Sequence, residues 1–302
     1  MGVSFGRIAE TKRIRKKRRI CKHSLCIVKN IIIRTLTGII YITIILGGLF
    51  VHPNIFLCVF GILLSLTLWE FYTITGIKKW RRVIAVGGGV YLFGASFFYA
   101  SDCADGRVFL PCMFYIMFVL ISELYNKKNV DHIRSCAYII LGQVYCAIPF
   151  ALLNFLVFLP GKGYTPWLVL ALFAFVWIND TGAFLVGRTI GKHRLFERIS
   201  PKKSWEGFAG GMLLTMGASL IPAHIHIYNS MINAQTWLCI SVLIVVFATW
   251  GDLVESLLKR TIGVKDTGAL LPGHGGMLDR LDSILMTIPA LYIFIRLMII
   301  QS

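Results

Sequence analysis

Charge is what this sequence has least of. Only 15% of its 302 residues are Asp, Glu, Lys or Arg, where a soluble domain carries roughly 25%. Hydrophobic residues make up 57% of the chain, and its mean hydropathy is +0.74. A soluble globular protein is excluded on composition alone. Acids are the scarcer sign, with 14 Asp and Glu against 31 Lys and Arg, a net charge of +17. In a soluble protein that excess would suggest nucleic acid. Beside this hydropathy it reads as basic cytoplasmic loops facing anionic lipid, and no nucleic-acid partner is expected. The eight cysteines are scattered and form no CxxC pair, so neither a disulfide scaffold nor a zinc site is supported. Internal repeats, low-complexity linkers and any stretch suited to a soluble domain are also missing.

What is present is a series of apolar runs of about 18–25 residues, the length that crosses a hydrocarbon core as helix. They predict about nine spans, near 32–51, 54–75, 83–100, 108–124, 135–158, 165–187, 205–222, 236–258 and 281–300. The fold class is therefore all-α, a polytopic integral membrane protein. Pro149 falls inside the fifth run, where a kink or re-entrant piece is allowed. Residues 1–30, with KRIRKKRR at Lys12–Arg19, read as a basic cytoplasmic arm. They are not read as a signal peptide, because the basic region is too long and the apolar run after it can span. Residues 31–302 read as a single transmembrane catalytic domain. With the N-terminus inside, the basic excess falls on the inner loops in every pair: Lys78 to Arg82, Lys127 to Arg134, Arg188 to Lys203 and Lys259 to Lys265. This is the positive-inside pattern, and it implies a multi-pass protein of the inner (cytoplasmic) membrane with a cytoplasmic N-terminus.

Two polar clusters interrupt the apolar pattern, both at the inner ends of spans. In the first, Trp177–Gly211, Asn179 and Asp180 close the sixth span, and Lys202, Lys203, Ser204 and Glu206 open the seventh. Pro201 and Ser204 suit a helix start, whose free N–H groups favour a phosphate. The GRTIGKH piece is not a P-loop. It has three residues between its glycines, and His193 stands where Ser or Thr would hold magnesium. The second cluster runs from Gly251 to Asp282. Asp252, Glu255 and Ser256, at i, i+3 and i+4, share one helical face, as do Asp279 and Asp282 at i, i+3. Acids there face protein or water, not lipid. Oxygen ligands from two helices suit a hard cation, magnesium above all, as one ion or a bridged pair. Glu70 and Arg34, at span ends, read as interfacial anchors or core contacts with no place in the site.

The run S-x-x-K-R-x4-K-D-x-G-x2-L-P-x-H-G-G-x-x-D-R-x-D, read from Ser256 to Asp282, resembles without departure the signature of phosphatidate cytidylyltransferases, the CDP-diacylglycerol synthases. WxNDTGAF, GRxxGKH and SPKKSWEG also resemble that family's pattern, so the likeness is strong from about Trp177 onward. It implies a nucleotidyltransferase of phospholipid biosynthesis, with CTP and phosphatidic acid giving CDP-diacylglycerol and pyrophosphate, dependent on Mg2+. It places the active site mainly in residues 177–282 and makes Asp252, Asp279 and Asp282 the metal ligands. Ser200, Lys202 and Lys203 meet nucleotide phosphates, and Asp180, Ser204, Glu206 and Ser256 lie on the substrate side. Lys259, Arg260, Lys265 and Arg280 neutralise phosphates, while Asp266 and His274 shape the loop or contact the nucleotide. The lipid phosphate is its own nucleophile, which fits the lack of a Ser-His-Asp or Cys-His arrangement. The partners implied are CTP, phosphatidic acid and membrane lipid, and a homodimer is allowed.

The nearest rival is a CTP-dependent polyprenol or phytol-type lipid kinase, which must activate a hydroxyl. A membrane transporter is more distant, because its acids belong near mid-span and in both halves. Transferases that consume CDP-diacylglycerol are excluded, because their D-G-x2-A-R-x8-G-x3-D-x3-D run is absent.

Overall fold

The computed structural model describes residues 35–125, 131–161, 163–225, 232–268 and 275–301. The basic arm, Arg34, Lys127, Lys128 and His274, all used above, lie outside the described residues. The described chain is an all-α polytopic membrane protein, and its helices fall where the apolar runs predict. Among the described residues, seven helical segments can cross a membrane by length and composition. These are α2 (Pro53–Ile74), α3 (Lys79–Ala100), Gly106–Leu124, His132–Val157, α7 (Trp167–Ile190), α9 (Ala234–Ile262) and Leu278–Met298. The third ends in α4 (Leu110–Leu124), and the last belongs to α10 (Leu278–Gln301). Two predicted spans are helical but outside that set: the described part of α1 (Thr35–Phe50) is shorter, and α8 (Trp205–His224) is rich in glycine. The polytopic class holds, and the number nine is not fixed by it.

The fifth run is one helix in three pieces, α5 (His132–Gly142), a π turn (Gln143–Ala147) and α6 (Ile148–Val157). Pro149 explains the break, since it offers no N–H and its ring collides with the preceding turn. The widened turn absorbs that mismatch. It also turns Gln143 inward, where Nε2 donates to Ala85 O at 2.6 Å and to the Tyr72 and Tyr115 hydroxyls, each at 3.1 Å.

The core is aromatic and lies among α2, α3, α6 and α7, with Phe56, Phe60, Phe93, Phe150 and Phe173 all buried. The outer faces are as apolar as the core. On α4, Met113, Phe114, Leu120 and Leu124 are each at least half exposed. In water such a stripe would be a liability; in a bilayer it is the lipid-facing surface. Two short antiparallel hairpins interrupt the helices, β1 (Phe158–Leu159) with β2 (Gly163–Tyr164) and β3 (Arg194–Phe196) with β4 (Ser200–Ser204). Neither was expected from the pattern, which reads both stretches as plain loops.

The C-terminal helices are drawn unusually close. A Cβ on Gly182 of α7 would lie 2.7 Å from Leu214 Cδ1, and one on Gly207 of α8 would lie 2.8 Å from Ala183 O. Small residues therefore let α7 and α8 meet backbone to backbone, a common membrane contact. α9 packs against both α8 and α10 and has 29 residues. At 1.5 Å per residue it rises ~43 Å, well beyond a ~30 Å hydrocarbon core. It therefore extends beyond such a core, and Asp252 to Lys259 lie toward its C-terminal end.

Candidate active site

One close contact places the acids. A Cβ on Gly251 would sit 2.7 Å from Asp282 O and 3.0 Å from Ser283 Cα. Only glycine lets α9 approach α10 this closely, and the approach sets Asp252 beside Asp282. One turn on, Glu255 joins them. Carboxylate oxygens of Asp252, Glu255 and Asp282 all lie within 4.8 Å of one another. Glu255 is 1% exposed. Lys259 Nζ stands 2.5 Å from its Oε2, a close ion pair.

These donors fit a divalent cation. All are hard carboxylate oxygens from two helices, the ligand set of magnesium or calcium and unlike that of zinc or copper. Three buried or half-buried carboxylates so close together also repel strongly unless positive charge lies among them. Part of that charge is built in. Besides Lys259, Lys203 Nζ reaches Asp252 Oδ2 at 2.7 Å and Thr249 O at 3.4 Å.

Asp279, expected as a third ligand, stands beside Glu255 at the edge of this group, and its oxygens have protein partners. Its Oδ1 accepts from Lys259 Nζ at 2.8 Å, and its Oδ2 accepts from the N–H groups of Thr267 (3.1 Å) and Gly276 (2.9 Å). It stands in the first turn of α10 and caps the loop that enters that helix. The group of three acids instead contains Glu255, which sequence reasoning placed on the right face without giving it a role. Its signal was the spacing: i+3 from Asp252 and i−4 from Lys259.

The hairpin β3–β4 supplies the basic wall. Arg194 pairs with Ser204 across it, and Trp205 N–H donates to His193 O at 2.9 Å. Ser204 caps α8 as expected, its Oγ accepting from Gly207 N–H at 3.1 Å. Glu206 turns back onto the GKH turn, accepting from the N–H groups of Lys192 (3.1 Å) and His193 (3.2 Å), with His193 Nδ1 at 2.6 Å. Its contacts hold the hairpin closed.

Two cavities flank Asp180. One, of about 280 Å³, lies between α7, α8, α9 and the hairpin, and its walls include Lys202, Lys203, Phe184, Phe208 and Asp252. The other, of about 180 Å³, lies between α1, α7 and α10, and its walls include Tyr41, Trp177, Arg280 and Asp282. Asp180 lines both. Asn179 beside it is buried, with Oδ1 unpartnered, and lines the larger cavity. Ser256 Oγ donates to Asp252 Oδ1 at 3.2 Å, and Ser200 is half-buried at the start of β4. Arg260, Lys265 and Asp266 are exposed around the end of α9, and none forms a hydrogen bond or ion pair with the acids among the described residues.

A second residue escaped the sequence reading. Glu70 of α2 is buried, and its Oε2 accepts from Leu278 N–H at 2.9 Å and from Thr267 Oγ1 at 3.3 Å. It therefore shares Thr267 with Asp279 as a partner.

Known proteins place the chain. The sequence profile of the cytidylyltransferase family matches residues 32–298. A phosphatidate cytidylyltransferase of Staphylococcus haemolyticus is 33% identical over 268 residues, covering 87% of this chain and 98% of the relative. Another from Staphylococcus saprophyticus is 34% identical over 271 residues, with the same coverage. A match in which both chains are covered almost from end to end takes in the spans as well as the polar clusters, and on that ground this chain belongs to the cytidylyltransferase family.

Proposed function

We propose that this protein transfers the cytidylyl group of CTP to phosphatidic acid, giving CDP-diacylglycerol and pyrophosphate at the inner face of a cytoplasmic membrane. The observation that carries the reading is the acidic group at the meeting of two unlike cavities, in a chain whose relatives are phosphatidate cytidylyltransferases.

The larger cavity suits CTP. Lys202 and Lys203 offer charge to a triphosphate, with Ser200, Ser204 and Asn179 as polar neighbours and Phe184 and Phe208 as apolar walls for the base. The smaller cavity suits the lipid phosphate. Arg280 can pair with it, and α1, with Tyr41 and Ile42, forms a wall from which acyl chains can leave sideways. The phosphate monoester is largely dianionic near pH 7, since its second pKa is about 6. One of its oxygens attacks the α-phosphorus of CTP, the bond to the bridging α–β oxygen breaks, and pyrophosphate departs with that electron pair. No protein base has to take a proton.

The difficulty is the meeting of two anions. Magnesium, as one ion or a pair held by Asp252, Asp282 and Glu255, would neutralise the phosphates and polarise the α-phosphoryl group. Asp279, with Lys259, holds the loop edge in register. Lys203, paired with Asp252 in this state, is placed to exchange that partner for a nucleotide phosphate. Arg260, Lys265 and Asp266 belong to the cytoplasmic rim, where leaving pyrophosphate meets water, and His274 is the residue that the resemblance sets to contact the nucleotide or shape its loop. Residues 31–302 act as one catalytic domain, and residues 1–30 as a cytoplasmic arm. Nucleic acid has no part in this reading, which a homodimer satisfies as well as a monomer.

Purified protein in detergent, given labelled CTP, phosphatidic acid and Mg2+, should yield CDP-diacylglycerol and pyrophosphate. Asp252→Asn should reduce turnover by at least about 100-fold, the scale of a lost electrostatic element in an active site. Absence of product, or CDP release with a polyprenol in place of phosphatidic acid, would overturn the assignment.

A further inference from the structure

Glu70 is 70 residues into the chain, in a half that carries no part of the signature, and yet its carboxylate closes a circuit of polar contacts ending at the acidic group. Glu70 Oε2 accepts from Thr267 Oγ1 and Leu278 N–H. Thr267 N–H donates to Asp279 Oδ2, and Asp279 Oδ1 accepts from Lys259 Nζ. Lys259 Nζ lies 2.5 Å from Glu255, one of the three clustered acids. Each link is one contact long, and all but one of the side chains are buried or nearly so.

The geometry of the neck is more telling than the chain of contacts. Thr267 and Gly268 enter a loop that returns at Gly275–Leu278. Glu70 holds it at Thr267 Oγ1 and Leu278 N–H, and Asp279 holds it at the N–H groups of Thr267 and Gly276. A Cβ on Gly268 would lie 2.7 Å from Glu70 Oε1, and one on Gly276 would collide with Glu70 Oε2 and Thr267 Oγ1. Both glycines are thus explained by the carboxylate above them. Thr267 and Leu278 are 4% and 1% exposed. Glu70 Oε1 is buried without a partner among the described residues, a costly arrangement for a carboxylate whose only task is packing.

We propose that Glu70 is a positioning residue, supplied by the N-terminal half, which clamps the neck of the loop between α9 and α10 and thereby fixes Asp279 and Lys259 beside the metal-binding acids. The inference rests on the cytidylyltransferase reading of that site. Glu70 reaches no substrate. It acts by fixing where Thr267 and the first turn of α10 stand, and so where the Lys259 ammonium is shared between Asp279 and Glu255.

Three variants test this in the full-length protein, Glu70→Ala, Glu70→Gln and Thr267→Val, each measured for turnover per folded molecule, KM for CTP and for phosphatidic acid, Mn2+ affinity without substrates, and amide exchange. In Glu70→Ala the Leu278 and Thr267 amides should exchange at least about tenfold faster, and kcat should fall by roughly 10- to 100-fold, the cost of a small misplacement of reacting groups. KM for phosphatidic acid should stay within about twofold, because Glu70 lies off the lipid cavity. Glu70→Gln keeps an acceptor oxygen and should recover most of the turnover. Thr267→Val should lower kcat in the wild-type background and add nothing in Glu70→Ala, since the two share one contact.

Normal exchange at Thr267 and Leu278 in Glu70→Ala overturns the proposal. So does a fall in thermal stability with kcat unchanged, or additive loss in the double variant. If Glu70→Ala does not fold, Thr267→Val decides alone: unchanged exchange and kcat overturn it. A wild-type protein inactive with CTP and phosphatidic acid would sink the parent reading, while the exchange and Mn2+ measurements would still report on the clamp.

Discussion

Replacing Glu255 with glutamine decides which acid completes the cation site. Carboxylate oxygens of Glu255, Asp252 and Asp282 lie within 4.8 Å of one another. At an effective dielectric constant of ~20, each pair of unit charges at that separation repels by ~3.5 kcal/mol. Against the two repulsions stands Lys259, whose Nζ is 2.5 Å from Oε2 and attracts by ~7 kcal/mol on the same scale. The terms nearly cancel. The isosteric amide should therefore leave the metal-free protein within ~3 °C of wild type in thermal unfolding. A bound divalent cation sees no such cancellation. It loses a ligand worth at least one pair energy, ~3.5 kcal/mol, or roughly 300-fold in affinity. Mn2+ titration followed by electron paramagnetic resonance, in detergent and without nucleotide, reads this directly, and the Mg2+ dependence of turnover should shift with it. Asp279→Asn is the matched control. Its oxygens serve Lys259 and two backbone N–H groups, so its Mn2+ affinity should change by less than about tenfold, the low end of an outer-sphere effect. Wild-type Mn2+ binding in Glu255→Gln, with loss in Asp279→Asn, would refute the reasoning and return the third ligand to Asp279.

Other changes test the frame of the site. Gly251→Ala drives a methyl group against Asp282 O and Ser283 Cα; it should cost about 1–3 kcal/mol, read by thermal unfolding, and raise the Mg2+ needed for half-maximal turnover because Asp252 and Asp282 separate. Ser204→Ala removes the cap of α8 and should cost about 1 kcal/mol, which Ser204→Asp should restore. Far from the site, Arg81 of α3 and Glu123 of α4 form an ion pair, 3% and 8% exposed, with Ser135 Oγ accepting from Arg81 at 2.6 Å. Glu123→Leu alone strands a buried cation and should cost about 3–5 kcal/mol, while pairing it with Arg81→Met should recover much of that loss. Neither change should alter the Mn2+ affinity of the folded protein.

The parts of this protein legible in its sequence are those written as local periodicity. Runs of about 20 apolar residues give the spans directly, because helix is the one way a single segment can satisfy its backbone in lipid. Ser204 is legible as a cap and Pro149 as a break for the same local reason. α8 shows the limit: four glycines buy its close approach to α7 and dilute the hydropathy that would mark it as a span. The hairpin β3–β4 is written in no alternation at all. Ser200–Ser204 includes two lysines and a proline, poor strand material. It is held from outside, by Glu206 on the Lys192 and His193 amides and by the bond from Trp205 N–H to His193 O.

The acids divide along the same line. Spacing puts Asp279 and Asp282 on one helical face, and that holds for their Cα atoms. It says less about what their oxygens do, because Asp279 accepts from Lys259 and from the N–H groups of Thr267 and Gly276, partners that only the folded loop brings near. Glu255, a turn beyond Asp252 in mid-helix, has no free amide to cap, so its charge is left for Lys259 and for whatever cation the cluster holds. Glu70 is further from reach still, 197 positions before Thr267 in the chain. No window on α2 distinguishes a carboxylate that anchors at an interface from one that clamps a distant loop. What does distinguish them is cost. An acid 8% exposed on a span, with one oxygen unpartnered, is too expensive to keep for anchoring, so a buried acid in an apolar helix calls for a search for amides that only the fold brings near.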